Sequence, residues 1–98
     1  LADAILEIIR HKKFRDVGQT TQIYHYSNEG EISWYDFAKE IFKIAKLDCR
    51  ISPITTEQYP MPANRPKNTS MDKDKITERF GVKIPYWNES LKACIINI

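Results

Sequence analysis

Ser33-Trp34-Tyr35-Asp36-Phe37-Ala38-Lys39-Glu40-Ile41-Phe42-Lys43-Ile44-Ala45 reads as one capped amphipathic helix. Ser33 has the short polar side chain that accepts a hydrogen bond from the first free backbone N–H groups, and Asp36 stands three positions on. Trp34, Phe37, Ala38, Ile41, Phe42 and Ala45 then recur at offsets of three and four, which lines one side of a helix with apolar groups. Lys43 and Lys46 suit its negative C-terminal end.

Short β-forming runs flank this helix. Gln22-Ile23-Tyr24-His25-Tyr26 precedes it, and Cys49-Arg50-Ile51-Ser52-Pro53-Ile54 follows, with Pro53 suited to a strand end or edge. Asn28-Glu29-Gly30-Glu31 is a turn, and Gly18 to Thr21 a loop. Further out, Leu1, Ile5, Ile8 and Ile9 predict an inward-facing helical stripe that ends at His11-Lys12-Lys13. Pro60, Pro62 and Pro66 stop regular structure between Thr55 and Thr69, since each fixes φ and removes a backbone donor. Thr69 or Ser70 is then expected to cap a short helix with Ile76 and Phe80 inward and Gly81 just past its end. A last helix begins near Pro85, with Trp87, Leu91, Cys94, Ile95 and Ile98 on one side. The pattern predicts an α/β fold with parallel pairing, two or three short strands packed with about four helices. So few strands make a marginal sheet. Residues 1–98 are accordingly read as one domain and, since Leu1 is no initiator methionine, as a piece of a longer protein.

Composition excludes several classes. The 98 residues are 42% hydrophobic and 29% charged, and 15 Lys plus Arg against 13 Asp plus Glu leave +2. That is too little charge to recruit nucleic acid by field alone. No apolar run approaches the roughly 20 residues a membrane helix requires. Cys49 and Cys94 are expected as buried free thiols in a reducing, cytoplasmic setting. Neither His11 nor His25 has the companions of a metal site.

Tyr35 and Lys39 have the Tyr-x-x-x-Lys spacing of short-chain dehydrogenases, in which the ammonium lowers the phenol pKa for proton transfer. With only three scattered glycines the chain has no phosphate loop, so the pair reads as surface side chains on a helix. Trp34 and Trp87 read as packing residues, and His25 as a side chain held beneath a helix. The loop from Glu57 to Ser70 is different, because its prolines hold polar side chains in place at low entropic cost. Within it Arg65, flanked by Asn64, Pro66 and Asn68, is suited to a two-pronged contact with phosphate or carboxylate. Capping carbonyls or pairing with Glu57 is the competing role.

Ile23-Tyr24-His25-Tyr26-Ser27, Gly30-Glu31-Ile32-Ser33-Trp34-Tyr35-Asp36-Phe37-Ala38 and Tyr59-Pro60-Met61-Pro62-Ala63-Asn64-Arg65-Pro66-Lys67-Asn68-Thr69-Ser70-Met71 together resemble the dTDP-4-dehydrorhamnose reductase family. The blocks run in that family's order, and they correspond to its C-terminal, substrate-binding portion. The resemblance implies the small C-terminal part of an extended short-chain dehydrogenase, with the N-terminal dinucleotide-binding domain absent. It further implies a parent enzyme that reduces dTDP-4-dehydro-L-rhamnose to dTDP-L-rhamnose with NADPH (or NADH), supplying polysaccharide synthesis. Some members form a magnesium-bridged dimer, so Mg2+ is expected of the parent only, and a homodimer is among the partners the resemblance implies.

By the same resemblance the fragment has no catalytic, cofactor or metal residues of its own and is expected to be inactive alone. Its dTDP-sugar contacts are placed on Arg65 for the diphosphate, Asn64 and Asn68 for ligand or loop, and Pro62 and Ala63 for the pocket wall. The alternative is a non-catalytic relative that acts as a binding subunit, like the β subunit of methionine adenosyltransferase.

Overall fold

The computed structural model describes residues 1–16, 18 and 20–98, so the loop reading at Gln19 lies outside the described residues. Among the described residues four helices run α1 (Ala2–Arg10), α2 (Trp34–Ala45), α3 (Asp74–Phe80) and α4 (Trp87–Ile96), with a 3-10 turn at Thr56–Gln58. α2 is capped as its sequence dictates: Ser33 Oγ accepts the Asp36 N–H at 3.1 Å and donates to Asp36 Oδ2 at 2.8 Å. α3 ends on Gly81 at φ 64°, in the left-handed region that glycine enters without cost.

The start of α3 differs from expectation. Its N-cap is Lys73, and Asp72 Oδ1 takes the Asp74 N–H at 2.9 Å, so neither Thr69 nor Ser70 caps it. A carboxylate two residues ahead of a free N–H does the same chemical work.

The core is small. Among the described residues Ala4, Ile76, Phe80 and Val82 are buried, with Ile8, Tyr24, Tyr26 and Ile84 packed around them. The edges of His11 and Tyr24 meet the Phe80 ring at 5.5 and 5.3 Å. α1 therefore turns its Ala4–Ile8–His11 side inward. Leu1, Ile5 and Ile9 remain exposed, and the expected inward stripe is corrected to Ile8 alone among its members. His25, between the inward Tyr24 and Tyr26, is exposed instead of packed beneath a helix.

A second, shallower contact joins α2 to α4. Phe37 meets Trp87 at 6.0 Å, and Asn88 Nδ2 donates to Glu40 Oε1 at 3.0 Å. Trp87 packs as expected. Trp34 does not: as the first residue of α2 it meets the edge of Phe37 at 6.2 Å and is 83% exposed. Cys94, Ile98 and Cys49 are also exposed, which corrects the expectation of buried thiols and of a full apolar side on α4.

Neither Gln22–Tyr26 nor Cys49–Ile54 pairs as a strand among the described residues. The one bridge is parallel, between Glu29 and Tyr86, where Glu29 N–H donates to Pro85 O and Trp87 N–H to Glu29 O, each at 3.0 Å. A strand needs a partner to satisfy its backbone groups, and the described residues offer no second edge to either run. The radius of gyration is 17.6 Å, against about 13 Å for a compact globule of this length.

Candidate functional site: a cleft between residues 27–33 and 67–74

Residues 27–33 and 67–74 face each other across an open cleft of about 1200 Å³. The first wall is fixed from behind by the Glu29–Tyr86 bridge and by Ser90 Oγ, which donates to Asn28 Oδ1 at 3.1 Å. Gly30 makes the turn at φ 93°, and a Cβ there would run into the Tyr86 ring and the Trp87 indole. The second wall enters α3, whose Ile76 and Phe80 anchor it in the core.

Two ties cross the cleft. Lys73, with its side chain 13% exposed, donates from Nζ to Asn28 O at 3.1 Å and pairs with Glu29 Oε2 at 3.3 Å. Ser70 Oγ donates to Glu31 Oε1 at 2.6 Å. Ser70 also donates its backbone N–H to Asn68 Oδ1 at 2.8 Å. The lining carries four carboxylates (Glu29, Glu31, Asp72, Asp74) and two lysines (Lys67, Lys73), a surplus of acid. Such a lining repels a free diphosphate and accepts hydrogen bonds from hydroxyl and N–H groups.

Of the residues singled out in the sequence, Asn68 lines the cleft, with its amide oxygen already engaged by Ser70. Pro62, Ala63, Asn64 and Arg65 are exposed on the loop leading to the cleft and do not line it. Among the described residues Arg65 forms neither a side-chain hydrogen bond nor an ion pair, and its competing pairing with Glu57 does not form. Glu57 is instead held below the usual carboxyl range by its own backbone N–H and, next, by the Thr55 hydroxyl. Lys39 Nζ sits 5.3 Å above the Tyr35 ring, a cation–π contact on α2.

Glu31, Ser70, Asn28 and Lys73 were not singled out. Their ties join residues 39 to 45 positions apart, and no local pattern encodes such a pairing. Among the described residues no group of three or more His, Cys, Asp or Glu side chains could hold a metal ion. The three glycines lie apart, at 18, 30 and 81.

A family model described as RmlD substrate binding domain matches residues 1–98. A dTDP-4-dehydrorhamnose reductase of Sinorhizobium fredii is 32% identical over 96 residues, covering 94% of this chain and 32% of that protein. One from Aggregatibacter actinomycetemcomitans is 39% identical over 84 residues, 78% of this chain and 29% of the relative. The spore coat polysaccharide biosynthesis protein SpsK of Bacillus subtilis is 33% identical over 92 residues, 94% of this chain and 29% of its own. The chain spans about a third of the length of the curated relatives it matches.

Proposed function

The chain belongs to the RmlD substrate binding domain family, and on that premise we propose that it forms the dTDP-sugar-binding portion of a dTDP-4-dehydrorhamnose reductase. The whole protein would reduce dTDP-4-dehydro-L-rhamnose to dTDP-L-rhamnose with NADPH, in the cytoplasm, for dTDP-rhamnose and polysaccharide synthesis. The observation that carries this reading is the match over all 98 residues; the quoted motif blocks also contribute residues 27, 30–33 and 67–71 to the walls of the cleft. Relatives named as reductases favour an enzyme over a binding subunit.

Hydride delivery, the nicotinamide and the catalytic Tyr and Lys belong in this reading to an N-terminal nucleotide-binding half. Magnesium at a dimer contact is likewise assigned to the parent, and no step of the proposal runs through either group in this chain. In this reading the runs Gln22–Tyr26 and Cys49–Ile54, unpaired among the described residues, gain strand partners from that half. Contact with it also covers the exposed Leu1, Ile5 and Ile9 of α1.

Within this portion the acidic cleft suits the hydroxylated part of the ligand. Arg65, on the loop outside the acid-lined walls, suits the diphosphate through a two-pronged charged contact. Asn64, Pro62 and Ala63 complete the loop's face.

Ligand-detected NMR on the full-length protein, titrated with dTDP-rhamnose, tests the assignment. Saturation transfer to thymine and sugar protons that weakens in Arg65→Ala is the expected result. A folded protein that transfers nothing at millimolar ligand, and does not oxidise NADPH with dTDP-4-dehydro-L-rhamnose, overturns it.

A further inference from the structure

Ser70 has two donors, and both are used. Its hydroxyl goes to Glu31 Oε1 on the opposite wall at 2.6 Å, and its N–H to Asn68 Oδ1 in its own loop at 2.8 Å. The first distance lies within the range for a charge-assisted bond from a hydroxyl to a carboxylate. Glu31 has no cationic partner among the described residues, unlike Glu29, which Lys73 neutralises. Its recorded engagement is this hydroxyl.

Upstream, Pro60, Pro62 and Pro66 fix three φ angles, so the segment transmits displacement poorly through bending and well as a unit. At its far foot, Thr55 N–H donates to Gln58 Oε1 at 2.8 Å and closes the 3-10 turn. Among the described residues the Arg65 side chain has no hydrogen bond or ion pair to hold it. A stiff loop whose key side chain is unanchored takes its position from its feet, and the foot nearer Arg65 is the Asn68–Ser70 turn.

We propose that Glu31 is a positioning residue, which fixes Arg65 toward the sugar nucleotide by holding Ser70 and, through it, the Asn68 turn. Its effect on the ligand runs through the Ser70 tie. The inference rests on the sugar-nucleotide reading above, and it reassigns Asn68 from a ligand contact to a member of the tie.

The test is calorimetric titration of full-length protein with dTDP-rhamnose, for wild type, Glu31→Ala, Glu31→Gln, Ser70→Ala, Arg65→Ala and the doubles Glu31→Ala/Ser70→Ala and Glu31→Ala/Arg65→Ala. Glu31→Ala and Ser70→Ala should each bind roughly three- to tenfold more weakly, a fraction of the cost of a hydrogen bond lost directly to a charged group, because the tie acts on the ligand only through Arg65. Their double should lose no more than either alone. Glu31→Gln keeps an oxygen acceptor in place and should recover most of the loss. In the Arg65→Ala background, Glu31→Ala should have almost no further effect.

Wild-type affinity in both Glu31→Ala and Ser70→Ala overturns the inference while leaving the functional reading intact. So does a Glu31→Ala loss that persists undiminished without Arg65, or a Glu31→Gln variant as weak as Glu31→Ala, because either means direct contact with the ligand. A wild type that does not bind overturns the functional reading and this inference with it.

Discussion

Gly30 lies against Tyr86 so closely that any Cβ at position 30 would enter the phenol ring, while its φ of 93° is one that L-residues rarely adopt. The contact locks the turn of one cleft wall to the start of α4. It also leaves Glu29 beside Tyr86, in the register that makes their parallel bridge.

Gly30→Ala should therefore destabilise the protein by about 2–4 kcal/mol, the sum of a left-handed backbone cost and a steric one. Urea unfolding of the full-length protein measures it. Tyr86 is 48% exposed and its ring has room to move. Adding Tyr86→Ala should thus return part of the loss and leave the backbone share. If Gly30→Ala costs under about 0.5 kcal/mol, the turn does not take this conformation.

Lys46 ends α2 at φ 55° and ψ 39°, where its N–H reaches Lys43 O and Phe42 O. A side chain in this region costs roughly 1 kcal/mol that glycine does not incur. Lys46→Gly should stabilise the protein by about 0.5–1 kcal/mol, since glycine's extra freedom in the unfolded chain offsets part of the gain. Thermal melts of the two proteins decide it, and a lower melting point for the variant contradicts the assignment.

The elements that local chemistry specifies were legible in the sequence. Ser33 and Asp36 cap α2, Gly81 ends α3, and Ile76 and Phe80 face inward, because each depends on residues within a few positions of itself. What failed depended on distant partners. The Leu1–Ile5–Ile9 stripe is a real amphipathic signal, yet the core within this chain forms against Ala4 and Ile8. Periodicity reports that a face wants cover and says nothing of where the cover is. The β-forming runs fare the same way, as does the cleft, whose ties through Glu31 and Lys73 cross about forty residues of sequence.

Glu57 has a carboxyl pKa below its usual value of 4.5, first through its own backbone N–H and then through the Thr55 hydroxyl. A depressed folded-state pKa stabilises the fold above the unfolded value, and the contribution fades as pH falls through the lower, folded one. The group is fully exposed, so the effect on global stability is small and the titration itself is the better readout. Carboxyl-detected NMR should place the Glu57 midpoint below that of an unstructured glutamate. Thr55→Ala should move it only part of the way back, since the backbone N–H is the larger cause. A midpoint at or above the ordinary value removes the turn's hold on this side chain.

With a radius of gyration of 17.6 Å and extents of 51 × 33 × 18 Å, the 98 residues are far from the sphere that would bury most apolar surface. Among the described residues four are buried, while Ile5, Leu6 and Ile9 of α1 are each about half exposed. At about 25 cal/mol per Å² of buried apolar area, so small a core cannot offset the ordering of the chain by a wide margin. The 98-residue chain on its own should show a broad, weakly cooperative thermal transition. Small-angle scattering from it should give a radius nearer 17–18 Å than the roughly 13 Å of a compact globule. The same residues within the full-length protein should unfold with the rest in one sharp step. A compact, sharply melting 98-residue chain would mean that the α1 face and the unpaired runs find cover within this chain, and the proposed docking to a nucleotide-binding half would lose its physical motive.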